Sequence, residues 1–178
     1  MKPELLLEAL LFSSHKTLSF DEIYHFLKSH YPDLTQGEVS CLIQNLKQEY
    51  SQNHAFQIQE IAGGFVLSTQ AIYGEKIDPW LRPEKQDRLT PATQEVLAII
   101  AWKQPVTRAQ IESLRGVDGS SAISTLLEKG LIEVQGKKDA PGRPSLYGTT
   151  PAFLKLLGLK SLHEFRQLTQ NLKETTFV

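Results

Sequence analysis

The sequence predicts a mainly α protein with small β-hairpins, an α+β chain made of two tandem winged-helix domains. Three observations predict it. The first is a repeat. An apolar helix ending near Phe12 and Ser13, followed by Leu18-Ser19-x-x-Glu22-Ile23, returns 88 positions later. The second copy ends near Ile100 and Ala101 and continues as Val106-Thr107-x-x-Gln110-Ile111. The second observation is the spacing inside that repeat. A Ser or Thr followed three residues later by Glu or Gln is a capping box: the hydroxyl accepts from an orphan amide of the first turn, and the longer side chain reaches back to the cap. The third is element order. Each copy continues with a third helix, a hairpin and a further short helix, which is the order of a winged helix.

Glu4–Ser13 reads as the first helix. It is apolar nearly all round, with Leu5, Leu6, Leu7, Leu10, Leu11 and Phe12, which predicts burial on more than one side. Ser19 caps a second helix to about Ser29, and Pro32 breaks it. Thr35-x-x-Glu38 opens a third helix to about Tyr50. Its stripe of Val39, Leu42, Ile43, Leu46 and Tyr50 marks one buried face. Phe56-Gln57-Ile58-Gln59 alternates as a strand, Gly63-Gly64 supplies a turn, and Phe65-Val66-Leu67 returns. A short segment with Ile72, Ile77, Trp80 and Leu81 closes the first domain, residues 1–81. Residues 82–89, nearly all polar, read as a linker.

Thr90-Pro91 opens the second domain, residues 90–165, with a cap and a proline in the first turn. Its first helix ends at Gln104-Pro105. Thr107 to Arg115 is the second helix, closed by Gly116, and Asp118 to Lys129 the third, stopped by Gly130. Leu131 to Val134 is a strand, Pro141-Gly142-Arg143-Pro144 the wing turn, and Leu146-Tyr147 the returning strand. A helix from Thr150-Pro151 stops at Gly158. Ser161-x-x-Glu164 caps a last helix, whose end and tail occupy residues 166–178.

At 178 residues, with 40% apolar and 22% charged residues, the chain suits one or two soluble domains, each with a modest core. Net charge is −1, so the whole chain is no cationic sheath for nucleic acid. The halves differ: residues 1–88 carry 8 Lys/Arg against 12 Asp/Glu, and residues 89–178 carry 11 against 8. The lone Cys41 forms no internal disulfide, and its place in a helical stripe predicts a buried thiol. No apolar run is long enough to span a bilayer, and the start lacks a signal peptide's cleavage site, so a cytoplasmic location is expected.

No catalytic constellation stands out, and the chain reads as non-enzymatic. The five histidines show no metal-ligand spacing with Cys41 or with each other, and neither glycine pair is followed by the residues of a phosphate loop. No cofactor is implied.

Winged helices read DNA with the third helix in the major groove, and that helix needs Arg, Lys, Asn or Gln outward. The first copy offers Glu38, Ser40, Gln44, Lys47, Gln48 and Glu49 there, and the second Ser120, Ser121, Ser124, Thr125, Glu128 and Lys129. Neither face is basic. The second wing holds Lys137, Lys138 and Arg143, which read first as solvated side chains beside a turn, then as weak, salt-sensitive phosphate contacts or as groups for an acidic partner. The excess apolar surface of the first helix points to protein association, with Leu6, Leu7, Leu10 and Leu11 as candidate dimer-interface residues.

The second domain resembles segregation and condensation protein B. The resemblance runs through Leu89-Thr90-Pro91, Ala98 to Arg108, Ile111 to Val117 and Leu126 to Ile132. Its most specific stretch is Pro141-Gly142-Arg143-Pro144-x-Leu146-Tyr147-Gly148-Thr149-Thr150, with Gly158-Leu159-x-Ser161-Leu162 after it. These blocks cover most of residues 89–165 in the expected order. The first half matches by layout. Trp102 stands where the family usually has tyrosine, and Asp118-Gly119-Ser120-Ser121 replaces a stretch that often carries Asn and Asp.

The resemblance implies a homodimer joined through its N-terminal domains, located in the cytoplasm at the nucleoid. It implies binding to a kleisin, segregation and condensation protein A, and through it to a structural-maintenance-of-chromosomes ATPase, with DNA contact weak or indirect. The function expected is an adaptor in chromosome condensation and partition. The surface expected to meet the kleisin comprises Ser120, Ser121, Ser124, Thr125, Lys137, Lys138 and Arg143. The competing expectation is a tandem winged-helix transcription regulator.

Overall fold

The computed structural model describes residues 2–52, 54–81 and 89–175, with the side chains of Pro79 and 171–175 outside the description. The expected linker lies outside the described residues except for Leu89, which packs against the C-terminal core. The chain divides into two compact units, residues 1–85 and 86–178.

In the N-terminal unit, α1 (Pro3–Ser13) leads through β1 (Leu18–Ser19) to α2 (Phe20–His30) and α3 (Gln36–Tyr50), then β2 (Phe56–Ile61), β3 (Gly64–Thr69) and α4 (Ala71–Leu81). Both expected capping boxes form. The Glu22 amide donates to Ser19 Oγ, and the Ser19 amide donates to Glu22 Oε2 at 2.8 Å. Thr35 and Glu38 repeat the exchange. A cap of this kind stabilises a helix start by about 1 kcal/mol.

The core gathers Leu7 and Leu11 from α1, Ile23 and Leu27 from α2, and Val39, Ile43, Leu46 and Tyr50 from α3, closed by Ile58. Tyr50 also donates its hydroxyl to Glu8, joining α3 to α1. That hydrogen bond, more than burial, pushes the phenol pKa up to about 12.

The sheet order β1-β3-β2 adds a strand to the hairpin expected from sequence. Leu18 pairs with Phe65 and Ser19 with Gly64. This corrects the hairpin turn. Ala62 and Gly63 make the turn, both at positive φ (51° and 73°), as a two-residue hairpin turn matched to strand twist requires. Gly64 is instead a strand residue. A Cβ there would sit 2.9 Å from the Leu18 carbonyl oxygen, so glycine is what lets β1 approach.

The C-terminal unit repeats the plan. It contains α5 (Pro91–Lys103), β4 (Val106–Thr107), α6 (Arg108–Arg115), α7 (Ser120–Glu128), β5 (Ile132–Lys137), β6 (Ser145–Thr149), α8 (Pro151–Leu157) and α9 (Leu162–Thr175). The sheet order β4-β6-β5 again places the strand before the second helix against the hairpin. Thr107 and Gln110 form the capping box, with the Thr107 amide donating to Gln110 Oε1 at 2.9 Å. The core joins Val96, Leu97 and Ile100 to Ile111, Ile123, Leu126, Ile132 and Phe153. The last helix is held by an aromatic cluster: Phe165 meets Phe153 edge-on at 5.4 Å and Trp102 at 6.2 Å.

The third helix starts two residues later than its pattern suggests. Asp118 stays outside it and accepts from the Ser120 amide at 3.2 Å. In the wing, the Arg143 amide donates to the Ala140 carbonyl at 2.8 Å. Gly142 sits at φ +79° in that turn, with Pro141 before it. That is the proline-then-glycine pattern of a type II turn.

Candidate functional site

The described side chains offer surfaces rather than a pocketed centre. No group of three His, Cys, Asp or Glu among the described residues could hold a metal ion. No helix among them is long and apolar enough to cross a membrane.

The apolar first helix divides sharply. Leu7 and Leu11 are 0% and 2% exposed, enclosed by their own domain. Their place among the candidate dimer residues is therefore corrected: a side chain already packed by α2 and α3 offers nothing to a second chain. Leu6 and Leu10 are half-buried against the same core. The free apolar surface of α1 lies at Leu5 (58% exposed) and Phe12 (74%). Helical periodicity could not separate these faces, because nearly every position is apolar.

α4 adds a surface absent from the sequence-based candidates. Ile72, Tyr73, Ile77, Trp80 and Leu81 are all exposed, Trp80 by 87%. The signal was present in the sequence: five large apolar residues in one short helix, placed after a winged-helix unit already complete. Cys41 is likewise exposed, not buried. It lies two residues, about 200° of helix rotation, from the inward Val39.

The third helices carry little for DNA. On α3, Lys47 leans over the Phe65 ring at 5.9 Å instead of pointing free. On α7, Ser121 and Ser124 are exposed, while Ser120 and Thr125 are half-buried. Ser120 donates its hydroxyl to Asp118 at 2.7 Å, and Thr125 donates to the Ser121 carbonyl at 3.0 Å. The outward face is therefore small, with two of its four hydroxyls already engaged. Lys137, Lys138 and Arg143 are exposed at the wing. Lys137 ends β5, five residues and about 17 Å along the strand from Ile132. That length sets the basic wing tip apart from the strand's start, next to the end of α7.

The turn between α6 and α7 is fixed by charge. Arg108 bonds Glu112 at 2.6 Å and Asp118 at 2.8 Å. Arg115, whose side chain is 7% exposed, bonds Glu95 at 2.9 Å and the Asp118 carbonyl at 2.9 Å. The Ser120 hydroxyl, first among several donors, holds the Asp118 carboxyl below its usual range. Glu112, first, and Asp118 hold the Arg108 guanidinium more firmly protonated. A carboxylate thus occupies the N-terminus of α7, where a DNA-reading helix would meet a phosphate.

Comparison with known proteins gives a family and named relatives. Residues 5–168 match the family described as Segregation and condensation complex subunit ScpB. Segregation and condensation protein B of Symbiobacterium thermophilum is 42% identical over 162 residues, covering 90% of this chain and 71% of that protein. The protein of the same name from Carboxydothermus hydrogenoformans is 45% identical over 163 residues, covering 91% of this chain and 85% of that protein. A solved structure described as a dimer of the ScpB N-terminal domain complexed with ScpA peptide shares 25% identity. It covers 50% of this chain and 99% of its own, with a TM-score of 0.37. With a family match spanning nearly all the described residues and relatives above 40% identity along most of both chains, this chain belongs to the segregation and condensation protein B family.

Proposed function

We propose that this chain is a non-catalytic adaptor of the bacterial structural-maintenance-of-chromosomes complex. It acts as a homodimer that binds the kleisin, segregation and condensation protein A, and reaches the ATPase through it. It works in the cytoplasm at the nucleoid. The observation that carries the reading is the character of the two winged helices. Their third helices expose no arginine or lysine, with Gln44, Asn45, Gln48 and Glu49 outward on α3 and Ser121, Ser124 and Glu128 on α7, while large apolar side chains stay open on α1 and α4. Protein partners cover apolar surface, whereas DNA is held through cations at its phosphates and guanine edges. Family membership supports the same reading.

Residues 1–81 supply the dimer contact, with Leu6 and Leu10 flanked by the exposed Leu5 and Phe12. Residues 90–165 supply the kleisin contact: Ser120, Ser121, Ser124 and Thr125 allow close approach, and Lys137, Lys138 and Arg143 steer an acidic partner. Co-purification with the kleisin, followed by mass measurement, tests the reading. A dimer that retains the kleisin is expected, and the double variant Leu5→Asp with Phe12→Asp is expected to be a folded monomer. Sequence-dependent nanomolar binding to duplex DNA that persists as salt rises, with no kleisin retained, would overturn the adaptor in favour of a transcription regulator.

A further inference from the structure

On the outer side of α5 and α6 lies a groove that neither proposed surface uses. It has a volume of about 450 Å³ and is lined by Lys103, Val106, Ala109, Gln110, Ser113 and Leu114. A second hollow of about 400 Å³ shares Lys103 and Leu114 with it and runs on past Trp102 and Ile99 to Glu95. Together they make an elongated trough. Its floor is aliphatic and aromatic, and Leu114 stands exposed in its middle.

The polar groups on this trough are one-sided. Lys103 is exposed and forms no ion pair or hydrogen bond among the described residues. Gln110 uses its carbonyl oxygen to cap Thr107, which leaves its NH₂ as a donor. Ser113 adds an exposed hydroxyl. The one acid, Glu95, stands at the far end and is held by Arg115. The near end of the trough therefore offers donors and a free cation beside an apolar floor.

We propose that this trough docks a short apolar segment of a partner protein that places a carboxylate against Lys103. The proposal rests on the adaptor reading and adds a second contact to the face made by α7 and the wing. Charge complementarity selects the occupant. A carboxylate would satisfy Lys103 and accept from Gln110, while apolar side chains two or three residues away would cover Leu114 and Trp102. A nucleic-acid backbone would find one cation and an apolar floor, the reverse of what it needs.

The test uses the full chain and the purified kleisin as probe, with affinity read by titration calorimetry and mass by light scattering. Lys103→Glu reverses the free charge, and Ala109→Arg fills the groove from an exposed position. Each is expected to weaken kleisin binding at least tenfold, with dimer mass and melting temperature unchanged, while Lys103→Arg binds as the wild type does. Normal affinity in both Lys103→Glu and Ala109→Arg overturns the trough and leaves the adaptor reading standing. A wild-type chain that binds no kleisin overturns the adaptor reading and the trough with it. Loss of dimer mass in these variants would mean that a second copy fills the trough, and would overturn the proposal. Should Ala109→Arg fold poorly, Lys103→Glu alone decides, because its side chain touches no partner to lose.

Discussion

The two units share one plan and use the helices after the wing in opposite ways. In the C-terminal unit, α8 sends Phe153 into the core and α9 lays Phe165 on it and against Trp102. In the N-terminal unit, α4 lays nothing down. Every one of its described side chains is exposed, and Gly74 is its one half-buried residue. The helices after the wing are therefore anchored to the core in the C-terminal unit, with Leu156, Leu157 and Leu168 still exposed, and left open in the N-terminal unit. Exposed aromatic and aliphatic surface costs solubility unless a partner covers it, so α4 gives the N-terminal unit a further face suited to assembly.

A second difference lies in the equivalent capping boxes. Glu22 in the first unit and Gln110 in the second accept the cap amide at nearly the same distance. The geometry needs only an oxygen of the right reach. The charge is an addition, and it makes the first unit's box sensitive to acid where the second unit's box is not. The Lys16 ammonium, bonded at 2.7 Å, is the leading cause that lowers the Glu22 carboxyl to about 2, with Ser19 adding to it. Thr35 holds Glu38 low in the same way.

The contrast between enclosed and open surface breaks hardest at α1. Leu7→Ala removes a fully enclosed side chain and is expected to lower stability by roughly 2–5 kcal/mol in urea unfolding. Leu5→Ala, two residues away on the open side of the same helix, is expected to change the unfolding free energy of the dissociated chain by less than about 0.5 kcal/mol and to weaken the dimer instead. Equal effects would mean that the two faces of α1 are not distinct.

Two glycine positions come next, one in each unit: a turn in the C-terminal unit and a strand in the N-terminal one. Gly142→Val forces a β-branched residue to φ +79° in the wing turn and is expected to cost about 1–3 kcal/mol. In a Trp80→Phe background, the fluorescence of Trp102 reports that loss from the C-terminal unit alone. Gly64→Ala drives a Cβ into the Leu18 carbonyl and is expected to cost a similar amount, about 1–3 kcal/mol, in the N-terminal unit instead.

Acid sharpens the contrast between the boxes. Because the folded-state pKa of Glu22 is depressed, its contribution is present above the unfolded carboxylate pKa and fades as pH falls from 4.5 toward 2. Unfolding followed across that range should show a shallower decline in Glu22→Gln than in the wild type. Gln110→Glu should steepen the decline of the C-terminal unit, where the depressed Asp118 carboxyl already contributes one. Tyr50 acts at the other extreme: its raised pKa means the clasp on Glu8 is lost as pH rises from 10 toward 12.

The smallest expected effect belongs to the most exposed side chain. Trp80→Ser should leave the unfolding free energy within about 0.5 kcal/mol. A larger loss that grows with protein concentration would place Trp80 inside the dimer contact.

The sequence by itself determined the two-unit plan, the helix starts closed by capping boxes at Ser19, Thr35 and Thr107, and the wing turn. Each of these is local physics. A capping box closes over three residues, and a proline followed by glycine fixes a turn within four. What only the tertiary structure decided involves residues far apart. β1 and β4 are two residues long and exist because β3 and β6 pair with them from about forty positions away or more. Gly64 looked like turn chemistry and is a close approach to Leu18. Leu7 and Leu5 are chemically the same residue two positions apart, and only the packing of α2 and α3 buries one and leaves the other in water. The trough beside Lys103 has no motif at all, because it is the space left between two helices, and periodicity encodes the faces that meet rather than the gaps between them.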